Sequence, residues 1–260
     1  MPEMIEVEAY RRLAEKALGR TITAVDADDA WFLKRGVTQQ ALTDALAGRD
    51  FVAARRIGKL MLLDLDDAPT LGVRFGMTGR LLVDDAIGVI ELQYSSHRLD
   101  TEWDRFVVHF DDGGELRVND PRRLGGIELG PDESRLGPDA ATITYHEVAD
   151  ALATSEAPLK ARIMDQHRVA GLGNLLADEV LWRAGLDPAR PAGALTTGER
   201  RRLHRHIVAT VALLEARGGS HMGDLQVARS RGGRCPRDGA ELDRRTVGGR
   251  TTYSCPMHQR

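Results

Sequence analysis

The sequence predicts a two-domain α+β protein: a β-sandwich or barrel led by a helix, then a helical domain ending in a stapled tail. Three observations carry this reading. Short apolar runs punctuated by Gly, Asp and Pro fill the first half, as in sheet proteins. From about Tyr145 to Glu215, apolar residues return at helical spacing. The tail is rich in Gly and Arg, holds both cysteines and has too few apolar residues for a core, so it needs a cross-link.

Val7, Tyr10, Leu13, Ala14, Ala17 and Leu18 share one helical face, and Gly19 is the stop signal. Strands are expected over residues 21–25, 51–54, 60–65, 71–75, 80–83, 106–110 and 115–118. The resulting domains are 1–130, a linker at 131–142 with two prolines, a helical domain at 143–222 and a tail at 223–260.

A chain of 260 residues, 42% hydrophobic, buries one sizeable core or two smaller ones. It has no run of eighteen apolar residues and no basic-then-apolar start, so membrane-spanning and secreted readings fall away. The net charge of −3 argues mildly against nucleic acid, but its distribution does not. The segment from Arg229 to Arg260 sets eight arginines against Asp238, Glu241 and Asp243, and Arg200, Arg201, Arg202 and Arg205 crowd another stretch. A basic end on an acidic chain suits a phosphate-facing surface; solvated faces are the bland alternative.

The start, Met1-Pro2-Glu3, has a chemical reading. Removal of Met1 leaves Pro2 with a free secondary amine, which attacks an electrophilic sugar carbon and gives an iminium directly. An α-amino group titrates near ~8, so a useful fraction is neutral at physiological pH. Glu3 can move protons for the departing group. The same acids would equally suit the first turn of a helix.

In the tail, Cys235 and Asp238 form one x2 knuckle, and Cys255 and His258 another after sixteen intervening residues. Such a set can close tetrahedrally on zinc. A disulfide or a metal-free hairpin would use the same residues differently. Further back, Gly171-Leu172-Gly173-Asn174 lies between two helical patterns. Its glycines let backbone N–H groups approach an anion at a helix start, where Asn174 caps the helix or donates to the same anion. In isolation such a turn is a tight corner.

Together these motifs resemble the formamidopyrimidine-DNA glycosylase / endonuclease VIII family, nearly end to end. They are the Met-Pro-Glu-x-x-Glu-Val-Glu start, Arg55-Arg56-Ile57-Gly58-Lys59, Phe75-Gly76-Met77-Thr78-Gly79, Asp120-Pro121-Arg122-Arg123-Leu124-Gly125, the Gly171–Asn174 turn and Gly249-Arg250-Thr251. The resemblance implies an N-terminal β-sandwich, a helix-two-turn-helix domain and a zinc-finger β-hairpin. It makes Pro2 the Schiff-base nucleophile, Glu3 the proton donor and Lys59 a lysine that contacts phosphate and assists elimination. Glu6 and Glu179 become pocket carboxylates, and Lys160, Asn174 and Arg250 phosphate ligands, Arg250 at the lesion. Met77 and Arg122 occupy the wedge positions that fill the gap left by a flipped base. Trp103 takes a DNA-contacting position. Cys235, Asp238, Cys255 and His258 hold one structural zinc ion. The partner is double-stranded DNA with damaged bases or abasic sites, met by a cytoplasmic, nucleoid-associated monomer.

Departures from the pattern matter too. Leu124 stands where a phenylalanine wedge is usual, Arg74 and Trp103 where histidines are, and Leu176 where a tyrosine is. Asp238 and His258 replace two zinc cysteines. The stretch between Ser220 and Leu225 is too short for the loop that caps the flipped base in 8-oxoguanine-specific members. The expected function is a bifunctional DNA glycosylase and AP lyase. A damaged-DNA-binding paralogue with little excision, and a glycosylase for bulky adducts, remain the alternatives.

Overall fold

The computed structural model describes residues 2–89, 92 and 98–260 and divides into two compact units, Met1–Glu133 and Ser134–Arg260. Met1, whose removal the Pro2 chemistry requires, lies outside the described residues.

The first unit opens with α1 (Met4–Ala14), which buries Met4, Ile5, Val7, Tyr10, Leu13 and Ala14. Two antiparallel sheets follow. One runs β1 (Ile22–Asp26), β7 (Asp104–Phe110), β8 (Glu115–Asn119), β5 (Arg80–Val83), β6 (Ala86–Ile87); the other runs β2 (Phe51–Ile57), β3 (Leu60–Leu65), β4 (Ala68–Arg74), β9 (Gly126–Leu129). One apolar cluster joins them, with Val25, Val83, Phe106 and Val118 from the first sheet and Phe51, Met61, Leu63 and Ile127 from the second. This is a sandwich core built from alternating inward residues.

Among the elements that escape the sequence pattern are the two-residue β6, a helix and a short strand. The helix α2 (Gln39–Leu46) buries only Leu42 and Leu46, too few for a visible period, and starts where Thr38 accepts the Ala41 N–H. The short β9 pairs with β4 far along the chain, and its Glu128 is buried against Arg74 and Arg35.

The second unit contains α3 (Tyr145–Leu152), α4 (Leu159–Met164), α5 (Asn174–Ala184), α6 (Thr197–Ala216) and a hairpin of β10 (Asp243–Val247) and β11 (Arg250–Ser254). All of α5 except Asn174 and Arg183 is buried, so it is the central helix; Gly185, at φ +63°, ends it. Thr196 and Glu199 form a reciprocal capping box at the start of α6. The tail, expected to lack a core, borrows one. Trp182 of α5 packs with Leu225, Leu242, Tyr253 and both cysteines. Among the described residues, no helix is long and apolar enough to cross a membrane.

Candidate active site and metal centre

Pro2 is buried at the start of α1, where Glu3 is the N-cap and its N–H donates to Glu6 Oε2 at 2.8 Å. Both carboxylates are almost fully sequestered, at 0% and 2% exposure. One turn on, Glu8 Oε2 accepts from Arg56 Nε at 3.1 Å, and Arg56 Nη1 donates to the Gly58 carbonyl at 2.9 Å. Gly58 and the half-buried Lys59 form the β2–β3 turn, with Gly58 at φ +56°. The Glu8–Arg56–Gly58 chain thus ties the helix carrying Pro2, Glu3 and Glu6 to the turn carrying Lys59.

Asp120, fully buried, organises the wedge loops. Its carboxylate accepts from Thr78 Oγ1 at 2.6 Å and from the N–H groups of Arg122, Leu124 and Gly125 at 3.2, 2.9 and 2.9 Å. Its own N–H donates to the Trp103 carbonyl at 2.9 Å. A Cβ added to Gly76, at φ +58°, would sit 2.4 Å from the Leu124 backbone, so the two loops touch. Met77, Arg122 and Trp103 therefore gather around one carboxylate. Met77 and Trp103 are half-buried, while Arg122 is exposed beside Leu124, itself 50% exposed. Arg123 adopts φ +56° and is held by a bidentate pair with Asp29 at 2.6 Å. A non-glycine residue there is strained backbone, kept by its surroundings.

In the second unit Asn174 is the first residue of α5, following Gly173, and Gln166 braces the preceding turn by accepting the Gly171 N–H at 2.9 Å. Lys160 does not reach solvent: it is fully buried, with its ammonium 2.7 Å from Asp178. Glu179 is buried too. It accepts from Arg183 at 2.7 Å and from the N–H groups of Asp224 and Leu225 at 3.1 and 2.9 Å. It pins the short 220–225 segment to α5. Arg250 is exposed, just after the Gly248–Gly249 turn, whose φ values of +56° and +73° suit a tight two-residue hairpin.

The four predicted metal ligands come together. One donor atom each from Cys235, Asp238, Cys255 and His258 all lie within 4.8 Å of one another. Tetrahedral zinc with sulfur near 2.3 Å and nitrogen near 2.0 Å needs ligand separations of about 3.3–3.8 Å. Here Cys235 Sγ lies 3.8 Å from His258 Nδ1, and Cys255 Sγ lies 3.2 Å from Asp238 Oδ2. Both thiols are free and buried, so no disulfide joins them. The surroundings suit the metal as well. His258 Nε2 lies 3.3 Å from the Trp182 carbonyl, an acceptor that turns Nδ1 toward the other three ligands, where it lies 2.7 Å from Asp238 Oδ2 and would face the ion. The Trp182 indole N–H and the Arg237 N–H both point at Cys235 Sγ, at 3.3 and 3.4 Å. The His258 hydrogen bond holds the Asp238 carboxyl well below the usual range, and burial pushes the Cys255 thiol up to about 11.

Sequence reasoning gave no role to the buried Asp120 and Asp178 or to the half-buried Arg56, each an anchor for a neighbouring loop. Only Asp120 carried a local signal, an aspartate opening a turn before proline.

Comparison with known proteins agrees with this layout. Residues 1–127 match the formamidopyrimidine-DNA glycosylase N-terminal domain model, and residues 130–222 the H2TH domain model of the same glycosylase. A curated relative from Paracoccus denitrificans, named formamidopyrimidine-DNA glycosylase, is 34% identical with both chains fully covered. Two structures of the Lactococcus lactis Fpg protein, one with DNA containing an abasic site and one with DNA containing Fapy-dG, are each 26% identical. Each matches with a TM-score of 0.83 over 99% of both chains.

Proposed function

The chain belongs to the formamidopyrimidine-DNA glycosylase family, and from that premise we propose how its residues divide the work of excising a damaged base and cutting the strand. It is a DNA glycosylase and AP lyase of base excision repair. The observation that carries the residue roles is the Glu8–Arg56–Gly58 chain, which unites the amino-terminal helix with the lysine turn.

The Pro2 nitrogen attacks C1′ of a flipped nucleotide, the glycosidic bond breaks and the base leaves with the electron pair. Glu3 delivers the proton that opens the sugar ring, and Glu6 fixes the Glu3 backbone. Lys59 contacts the neighbouring phosphate while the iminium acidifies the C2′ carbon; the C2′ proton passes to water, its electron pair flows toward the iminium nitrogen, and the flanking phosphates leave by elimination. Met77 and Arg122 fill the vacated stack, with Trp103 beside them. Asn174 and Arg250 hold backbone phosphates. Cys235, Asp238, Cys255 and His258 hold one zinc ion per chain, which supplies a cross-link and no reaction step. The enzyme works as a cytoplasmic monomer at the nucleoid. Arg250→Ala should weaken binding to abasic duplex about tenfold or more and make the slope of log K against log salt shallower by about 0.9. An unchanged slope would remove Arg250 from the phosphate ligands.

Abasic sites, ring-opened purines and oxidised pyrimidines are processed in preference to 8-oxoguanine. The 220–225 segment is short and tied down by Glu179, Arg183 and Arg217, which supports an uncapped pocket. Telling 8-oxoguanine from guanine needs fixed donors and acceptors around the ring. Leu124 offers no aromatic face to the opposite base. Single-turnover excision tests this: a ring-opened purine should leave faster than 8-oxoguanine, with weak dependence on the opposite base. Equal rates for 8-oxoguanine opposite cytosine, and much slower ones opposite adenine, would overturn it. A duplex left intact at every lesion would overturn the enzyme reading itself and favour a binding paralogue.

A further inference from the structure

A charged cluster lies inside the second unit, away from solvent. Lys160 Nζ is 2.7 Å from one Asp178 oxygen and Arg229 Nη2 is 2.8 Å from the other, with side chains 0%, 0% and 6% exposed. The cluster has one direction. Lys160 also donates to Thr252 Oγ1 at 2.8 Å and lies 3.3 Å from the Thr251 carbonyl. Asp178 accepts from the Tyr253 N–H at 3.4 Å, and the Arg229 guanidinium sits 5.4 Å over the Tyr253 ring. Its reach along the chain is therefore Thr251, Thr252 and Tyr253, the residues immediately after Arg250. At the hairpin tip, a Cβ on Gly248 would lie 2.6 Å from that of Ala161, the neighbour of Lys160 on α4.

Buried charges give back in attraction little more than they lose in solvation, so such a cluster is weak evidence for stability. An ammonium committed to a carboxylate, a hydroxyl and a carbonyl inside the fold is also poorly placed to grip a phosphate. We propose that Lys160, Asp178 and Arg229 are positioning residues that clamp β11 to α4 and α5, so that Arg250 leaves the hairpin at a fixed angle, and that Lys160 touches no phosphate. This rests on the reading of Arg250 as a phosphate ligand.

The test uses the full zinc-loaded chain and a duplex with a stable abasic analogue, and measures Kd and its salt slope. Arg250→Ala sets the reference. The triple variant Lys160→Met, Asp178→Leu, Arg229→Met replaces the cluster by apolar groups of similar volume, a change that folds tolerate. It is expected to keep its zinc, bind about tenfold more weakly, lose about 0.9 from the slope and change no further when Arg250→Ala is added. Thr252→Val, which leaves every charge paired, should move both readouts the same way by a smaller amount.

A triple variant with wild-type slope would overturn the proposal. So would Lys160→Met lowering the slope by a further 0.9 in the Arg250→Ala background, because that is the mark of a direct phosphate contact. If the triple variant fails to fold, Thr252→Val decides, and wild-type values there overturn the proposal. Wild-type protein that ignores abasic duplex would instead defeat the repair reading beneath it.

Discussion

Sodium borohydride added to the protein and a duplex with one abasic site is expected to lock the two into a covalent band. Pro2→Gly should weaken that band about 10²-fold. Glycine keeps an amine but only a primary one, whose imine is neutral until it gains a proton. The secondary amine of proline yields the iminium at once. Glu3→Gln should slow base release by roughly 10²–10⁴-fold while leaving DNA binding in place, the range for loss of a general acid. The site supports this division, because Glu3 and Glu6 are both withdrawn from water beside Pro2. Mass spectrometry of the mature chain is the companion measurement. Retained Met1 would acylate the proline nitrogen, and with it, or with no band from wild-type protein, the lyase chemistry fails.

Loss of the metal should be the second large effect. Elemental analysis is expected to find one zinc per chain, and a chelator or Cys255→Ser to remove it. The hairpin then loses its cross-link and keeps only a small apolar cluster around Trp182, Leu242 and Tyr253. Structural zinc carries about 10–16 kcal/mol of apparent binding free energy in isolated fingers, far more than such a cluster can replace. Hairpin amides should exchange rapidly, and DNA affinity should fall at least as far as in Arg250→Ala. Two thiolates, a carboxylate and an imidazole leave the filled centre one charge negative, which the Arg237 guanidinium, 4.8 Å over the Trp182 ring, helps to offset. Asp238 is the exposed member of the set, so Asp238→Ala should lower zinc affinity less than either cysteine change does. Metal-free protein, or a fresh preparation with Cys235 and Cys255 joined, would sink the zinc assignment.

The legible parts of the fold were those whose signal is local. The run Leu60–Leu65, apolar except for Asp64 and bounded by turns, forms a strand over the same residues. The two knuckles were legible because each ligand pair is three residues apart, a spacing that one turn closes. Where a partner is distant, the pattern failed. Glu128 is buried only because Arg74 and Arg35 reach it. Lys160 reads as a phosphate ligand by resemblance, and nothing in α4 announces Asp178 on the next helix or Arg229 well beyond it, the partners beside which it is buried. Burial of a charge is decided by the whole fold.

Cys235 and Cys255 are the chain's entire thiol content. Thiol chemistry anywhere in this molecule is consequently chemistry at the finger. A colorimetric thiol reagent should count close to none in the filled protein and two after chelation, so it reads metal occupancy directly. Peroxide that turns either sulfur into a sulfenic acid removes a metal ligand, whereas the carboxylate of Asp238 gives it nothing to attack. With two sulfurs at risk in place of four, the grip on DNA has half the usual number of points at which an oxidant can loosen it.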